Sequence, residues 1–150
     1  MSTTVNFATV ANSIAALSIT GVDVLDIDQI PDAMGLDTAV LVPMPEDFIT
    51  EVEIIPAELT QQNLDLSYTL HYRYYHCKIA GGLGGLFATY NGLVTAAANV
   101  LLAFANDATL SGAVNNTQAT IANIGPVSDP AGNGFHGFDV TIRVLQFLEV

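Results

Sequence analysis

Between Leu64 and Cys77 the chain alternates without a break. Leu64, Leu66, Tyr68, Leu70, Tyr72 and Tyr74 take every second position, and Ser67, Thr69, His71, Arg73 and Tyr75 take those between. Successive side chains of a strand point to opposite faces, so this run specifies a long strand with one apolar face. Such a strand belongs to a sheet that packs one face on a core and turns the other toward water or a partner.

Phe7, Val10, Ala11, Ile14 and Leu17 recur at steps of three and four and predict a helix from about Thr4 to Ser18, stopped by Gly21. Leu86, Tyr90, Leu93, Ala97, Leu101 and Phe104 predict a second, from about Gly85 to Ala105, whose alanines allow close approach to a sheet. Short strands are expected at Val22–Ile27, at Thr38–Val42 (closed by Pro43 and Pro45), at Phe48–Ile55 (closed by Pro56) and at Thr117–Ile124. The last strand, Phe138–Leu148, carries Phe138, Val140, Ile142, Val144 and Leu148 on one face. Asp139, Thr141, Arg143, Leu145 and Phe147 face the other way, and the turn residues Ser128–Gly134 join the final two strands as a hairpin. The expected fold is α+β: a mainly antiparallel sheet with two principal helices packed on one face, in a single domain over residues 1–150.

Eleven acids, from Asp23 to Asp65, precede the first basic residue, Arg73; only Lys78 and Arg143 follow it, and the net charge is -12. Phosphate neutralisation by Lys and Arg supplies most nucleic-acid affinity, so specific nucleic-acid binding is excluded. The field attracts cations or a basic partner instead. Only 12% of residues are charged while 51% are hydrophobic. Typical domains carry about 25% charged residues, so apolar surface is left over, and such surface marks protein–protein contacts. Ile79–Ala105 has no charge and the length of a membrane span. Its glycine cluster, Asn91, Asn99 and the lack of Lys and Arg anchors argue instead for a buried helix after a loop, and no membrane partner is expected. Asn115-Asn116-Thr117 matches a glycosylation sequon and reads as a plain loop.

No chemistry-bearing motif stands out. Asp23, Asp26, Asp28 and Asp32 lack the ligand spacing and closing glutamate of a calcium loop. With Asp26 and Asp28 on one strand face and Asp23 on the other, they read as an acidic edge. Glu46, Asp47, Glu51 and Glu53 extend it, the last two on one face of their strand. His71 and His76 are an odd number apart and face opposite sides, so with the single Cys77 they make no metal set, and His136 meets either only through folding. The Ala80–Gly85 segment lacks the G-K-[ST] ending of a phosphate loop. Tyr68, Tyr72, Tyr74 and Tyr75 around Arg73 imitate a base-stacking platform in the wrong field. Tyr75 leaves the main apolar face and is a candidate interface anchor. No catalytic residue, metal ligand or cofactor is expected, and the chain does not read as an enzyme.

The closing segment VSDPAGNGFHGFDVTIRVLQFLEV resembles the C-terminal hairpin of small neck proteins in long-tailed bacteriophages. The opening ANSIAALSITGVDVLDIDQIP, and LDLSYTLHYRYYH followed by a glycine-rich bend and an alanine-rich helix, resemble the same group. The family is that of the tail terminator, or tail completion, proteins. The resemblance implies a virion protein, assembled in the host cytoplasm, that forms a ring (a homohexamer) capping the tail tube and joining it to the head-side connector or stopper. Asp23, Asp26, Asp28, Glu46, Asp47, Glu51 and Glu53 are then candidates for an acidic lumen or partner surface that DNA passes without binding. Tyr75, Leu145, Phe147 and the Pro43–Asp47 loop are candidates for the subunit contact. Another neck or tail-tube protein is the alternative within this class, and a ligand-binding domain or enzyme the alternative outside it. A pocket placing His136 beside His71 or His76 would favour the latter.

Overall fold

The computed structural model describes residues 6–33, 37–56, 63–79 and 86–149. The long strand that the alternation predicts, β4 (Asn63–Lys78), lies at the centre of a six-stranded, mostly antiparallel sheet. Every β4 residue except His76 has a register partner on β6 (Gly134–Glu149), from Asn63 opposite Glu149 to Lys78 opposite Phe135. β5 (Asn116–Ser128) lies beyond β6. On the other side of β4 run β2 (Asp37–Pro43) and β3 (Ile49–Pro56), both antiparallel to it, with β1 (Asp23–Val24) parallel to β2.

β2 and β3 are one strand interrupted. β2 covers β4 from Tyr72 to Cys77 and β3 covers it from Leu64 to Leu70. Between them Met44 N donates to His71 O at 3.0 Å and His71 N donates to Phe48 O at 2.9 Å. Pro43 and Pro45 lack N–H groups for the ladder, so the chain leaves the sheet there and rejoins at Phe48.

The even-numbered face of β4 forms the core, as the alternation requires. Leu66, Tyr68, Leu70, Tyr72 and Tyr74 meet Phe138, Val140, Ile142 and Val144 of β6 in one buried cluster. Val10 and Ile14 of α1 (Phe7–Ala15) and Leu93, Ala97, Val100 and Phe104 of α2 (Leu86–Asn106) join the same cluster. Phe7 meets Tyr68 edge-on at 4.8 Å, and Tyr74 stacks on Phe138 at 4.6 Å. Each fully buried large side chain contributes about 1.5–3 kcal/mol, so this face supplies most of the drive to fold.

Several expected boundaries shift. The helix start expected at Thr4 lies outside the described residues; Asn6 caps α1, its Oδ1 accepting from Thr9 N at 3.1 Å, and the helix ends at Ala15. The strand expected over Val22–Ile27 is only Asp23–Val24. A 3-10 turn, Ile27–Gln29, replaces the rest because Asp26 caps it. Asp26 accepts from Ile27 N at 2.7 Å, and Gln29 Oε1 accepts from Asp26 N at 2.9 Å. This is a capping box, readable as Asp-x-x-Gln. The sequon's Asn116 and Thr117 open β5 rather than lying in a loop. Leu101, expected on the apolar face of α2, is 41% exposed. At 100° per residue it stands roughly 80° from Leu93, outside the buried stripe.

Register slips in β2, β3 and β5 coincide with left-handed backbone at Ala39 (φ 44°), Glu51 (φ 54°) and Asn123 (φ 57°). Each is a bulge, and those in the outer strands β3 and β5 discourage further strand pairing. A fourth slip at His76 accompanies a close approach of β6 to β4. A Cβ on Gly137 would lie 1.9 Å from Tyr74 O, so only glycine fits. Gly137→Ala is expected to cost about 3 kcal/mol or more by forcing the central strand pair apart. An unchanged chemical-denaturation midpoint would show that the pair relaxes freely.

The hydroxyls of Tyr68 and Tyr72 are buried with no hydrogen-bond partner among the described residues. Burial pushes the Tyr68 phenol up to about 12; burial first, and the Asp26 carboxylate second, push Tyr72 higher still. An unpaired buried hydroxyl costs roughly 1–3 kcal/mol, so Tyr68→Phe should leave thermal stability unchanged or raise it. A clear fall in melting temperature would reveal a partner for the hydroxyl.

Candidate interaction surfaces

The odd-numbered face of β4 and β6 is the open face of the sheet, and it is polar. Thr69 Oγ1 donates to Glu51 Oε2 at 3.2 Å, and Arg143 Nη1 stands 3.7 Å from the same oxygen. Thr50 Oγ1 and His71 Nε2 share a 2.7 Å hydrogen bond. A cleft of about 350 Å³ opens here between Glu53, Asp65, Gln118, Arg143 and Leu145. Toward the other end Arg73 grips Asp139 with two nitrogens, Nε to Oδ1 at 2.7 Å and Nη2 to Oδ2 at 3.3 Å, while Nη1 donates to Ser128 O at 3.0 Å. The hydrogen bond to Asp139 raises the guanidinium pKa against the opposing effect of burial. A bidentate pair of this kind fixes side-chain geometry as well as charge.

Beside that pair the open face closes over a second core. Val40, Val42, Tyr75, Val127 and Phe135 are buried together, with Leu25 and Ile30 packed against them. Tyr75, expected as an interface anchor, is only 4% exposed and meets Phe135 edge-on at 5.5 Å. It leaves the main core as the alternation says, but the chain around the 3-10 turn covers it. Of the other expected contact residues, Leu145 is half-buried at the cleft and Phe147 is 38% exposed.

The acids fall on one side of β4. Asp23, Asp26 and Asp28 belong to β1 and the 3-10 turn, Glu46 and Asp47 to the β2–β3 link, and Glu51 and Glu53 to β3. Asp26 and Asp28 do not share a strand face, since both sit at a turn. Asp26 is committed to its cap and, with the Asn12 amide turned to donate, to Asn12 of α1. Asp23, Asp28, Glu46 and Asp47 are exposed. The far side is the opposite: neither α2 nor β5 contains a charged residue. Val94 (56% exposed) and Leu102 (57%) stand on the outer surface of α2. A groove of about 210 Å³ between Leu101, Phe104, Ala105, Thr117 and Ala119 runs between α2 and β5.

His71 and His76 lie on opposite faces, as their spacing demands. His76 Nδ1 shares a 2.8 Å hydrogen bond with Tyr74 OH, and its ring packs on α2 where Gly92 leaves room; a Cβ there would sit 2.7 Å from Nε2. His136 stands opposite Cys77 in register, meets Tyr90 edge-on at 6.0 Å, and its buried Nδ1 has no partner among the described residues. Folding therefore gathers His76 and His136 beneath α2. Parity along β4 hints at the side of His76, but the bulge that aligns it with His136 leaves no sequence signal. Among the described residues no group of three His, Cys, Asp or Glu side chains is placed to hold a metal, and no helix is long and apolar enough to cross a membrane.

No family model, curated protein or solved structure matches this chain. Its surfaces must be read from their own physics.

Burial first, and the neighbouring His136 second, lower the His76 pKa below its ordinary value. The unfolded chain therefore takes up a proton that the folded chain resists. The associated stability is complete above about pH 6.5 and is lost as pH falls toward the depressed folded value. Melting temperature is expected to fall on acidification from about pH 7 to 5, and His76→Gln should flatten that fall. Parallel pH curves for the two proteins would remove His76 as the cause.

Proposed function

We propose that this chain is a structural neck protein of a long-tailed phage virion, resembling a tail terminator. Copies close into a ring, on that resemblance a hexamer, which caps the tail tube and meets the head-side connector or stopper. The observation that carries the reading is the segregation of its surface. Acids occupy the β1–β2–β3 side of the sheet, while α2 and β5 offer uncharged and partly apolar surface. A chain with net charge -12 associates with itself only where its acids are not opposed, and the neutral side meets that condition. No cofactor enters this role.

The exposed acids Asp23, Asp28, Glu46 and Asp47 are the best candidates for the channel wall. Asp26 is occupied by its cap, and Glu51 by Thr69 and Arg143. Six such subunits would line a lumen whose field keeps DNA from adhering as it passes. One observation favours the alternative of a ligand-binding domain or enzyme, namely the gathering of His76 and His136 under α2. Against it, His136 is buried and the clefts described above lie elsewhere.

Light scattering and negative-stain imaging of the purified chain should show closed rings, alone or on tail tubes. A protein that stays monomeric or dimeric and ignores tubes would end this reading. Combining Asp23→Asn, Asp28→Asn, Glu46→Gln and Asp47→Asn should leave the ring intact and slow DNA ejection. Ejection at the normal rate would remove the acidic lumen from the proposal.

A further inference from the structure

We infer that consecutive copies of this chain meet head to tail, with an apolar ridge on β3 of one copy entering the α2–β5 groove of the next. The inference rests on the ring reading above and supplies its contact.

Both halves of the contact are exposed in the single chain. Val52, Ile54 and Ile55 on β3 are each about half exposed. Val52 and Ile54, two positions apart on this outer strand, share a face and form a ridge that water covers poorly, whereas Ile55, paired with Asp65, lies on the other face at the cleft. At the opposite edge of the sheet, the outer surface of α2 exposes Val94, Leu101 and Leu102 between uncharged polar residues, and exposed apolar groups of this size mark a contact. The groove beside it is floored by Phe104 and Ala119 and rimmed by Leu101 and Ala105.

The register sets the relative height of the two. Ile54 pairs with Leu66, whose side chain is in the helix-side core, so Ile54 emerges on the same face as α2. Two copies placed edge to edge, with their helices on the same side, bring Ile54 to the level of the neighbour's groove.

Charge selects this pairing over the symmetric ones. Ridge against ridge would oppose Glu51 and Glu53 to the same residues of the second copy. Ridge in groove sets them against segments that carry no charge. Groove against groove is electrostatically neutral but stops at two copies and leaves the ridge exposed. Direct strand pairing between β3 and β5 is discouraged by the bulges at Glu51 and Asn123 and by Pro126. Because ridge and groove occupy opposite sides of one sheet, the contact is heterologous, and its repetition closes a ring or runs on as a filament.

The test uses two full-length variants at exposed positions, Ile54→Asp on the ridge and Leu101→Asp in the groove, with Ala105→Asp replacing the latter if its melting temperature drops. Each alone should be monomeric by light scattering under conditions where the parent chain assembles. Mixed in equal amounts they should form a dimer and nothing larger, since one intact ridge and one intact groove remain. An Ile54→Asp protein that still forms full assemblies, or a mixture that stays monomeric, overturns the inference while leaving the ring reading standing. A parent chain that is monomeric at its highest soluble concentration also overturns it, and confines the ring reading to assembly templated by tail tubes.

Discussion

The union of β4 with β6 is the interaction on which everything else in this molecule depends. It runs the length of both strands and places two apolar rows side by side under α1 and α2. It also aligns the odd-numbered residues into a polar face where Arg73 finds Asp139 and Thr69 finds Glu51. At Gly137 the two backbones come so near that no side chain fits, and the slip at His76 on the facing strand is the local accommodation. A change that separated these strands would unmake the core and the open face together.

Around that centre the chain sorts its charge by position in the sheet. The segment before β4 folds onto one side and carries the acids; the segment after it supplies α2 and β5, which carry none. Bulges in the outer strands β3 and β5 limit strand addition and leave side chains as the means of contact. A protein arranged this way has an electrostatic direction. It can set its neutral side against the β3 edge of a copy, where acids meet uncharged segments, while the exposed Asp23, Asp28, Glu46 and Asp47 stay free, which is the physical content of the ring proposal.

The histidines and the aspartates illustrate how a sequence pattern can be right about geometry and silent about company. Spacing alone put His71 and His76 on opposite faces, and so they stand. Spacing could not bring His136 to His76, because that meeting depends on which strand pairs with β4 and where the pairing slips. Alternation puts Asp26 and Asp28 on one strand face, but the capping box at Asp26-x-x-Gln29, a local signal present in the sequence, turns the chain there instead. Tyr75 leaves the main core as its position requires, yet Leu25 and Ile30, distant in sequence, cover it.

By itself the sequence determined the long central strand, the two helices, the terminal hairpin and the α+β class. These follow from periodicity, which acts between residues only a few positions apart. It also determined the one-sided distribution of charge along the chain. Only the tertiary structure decided that β2 and β3 are one interrupted strand, that the acids share one side of the sheet, that Tyr75 is enclosed, and that a ridge and a groove remain on opposite sides. Those outcomes rest on strand order and register, which are settled by contacts between distant segments competing for the same central strand.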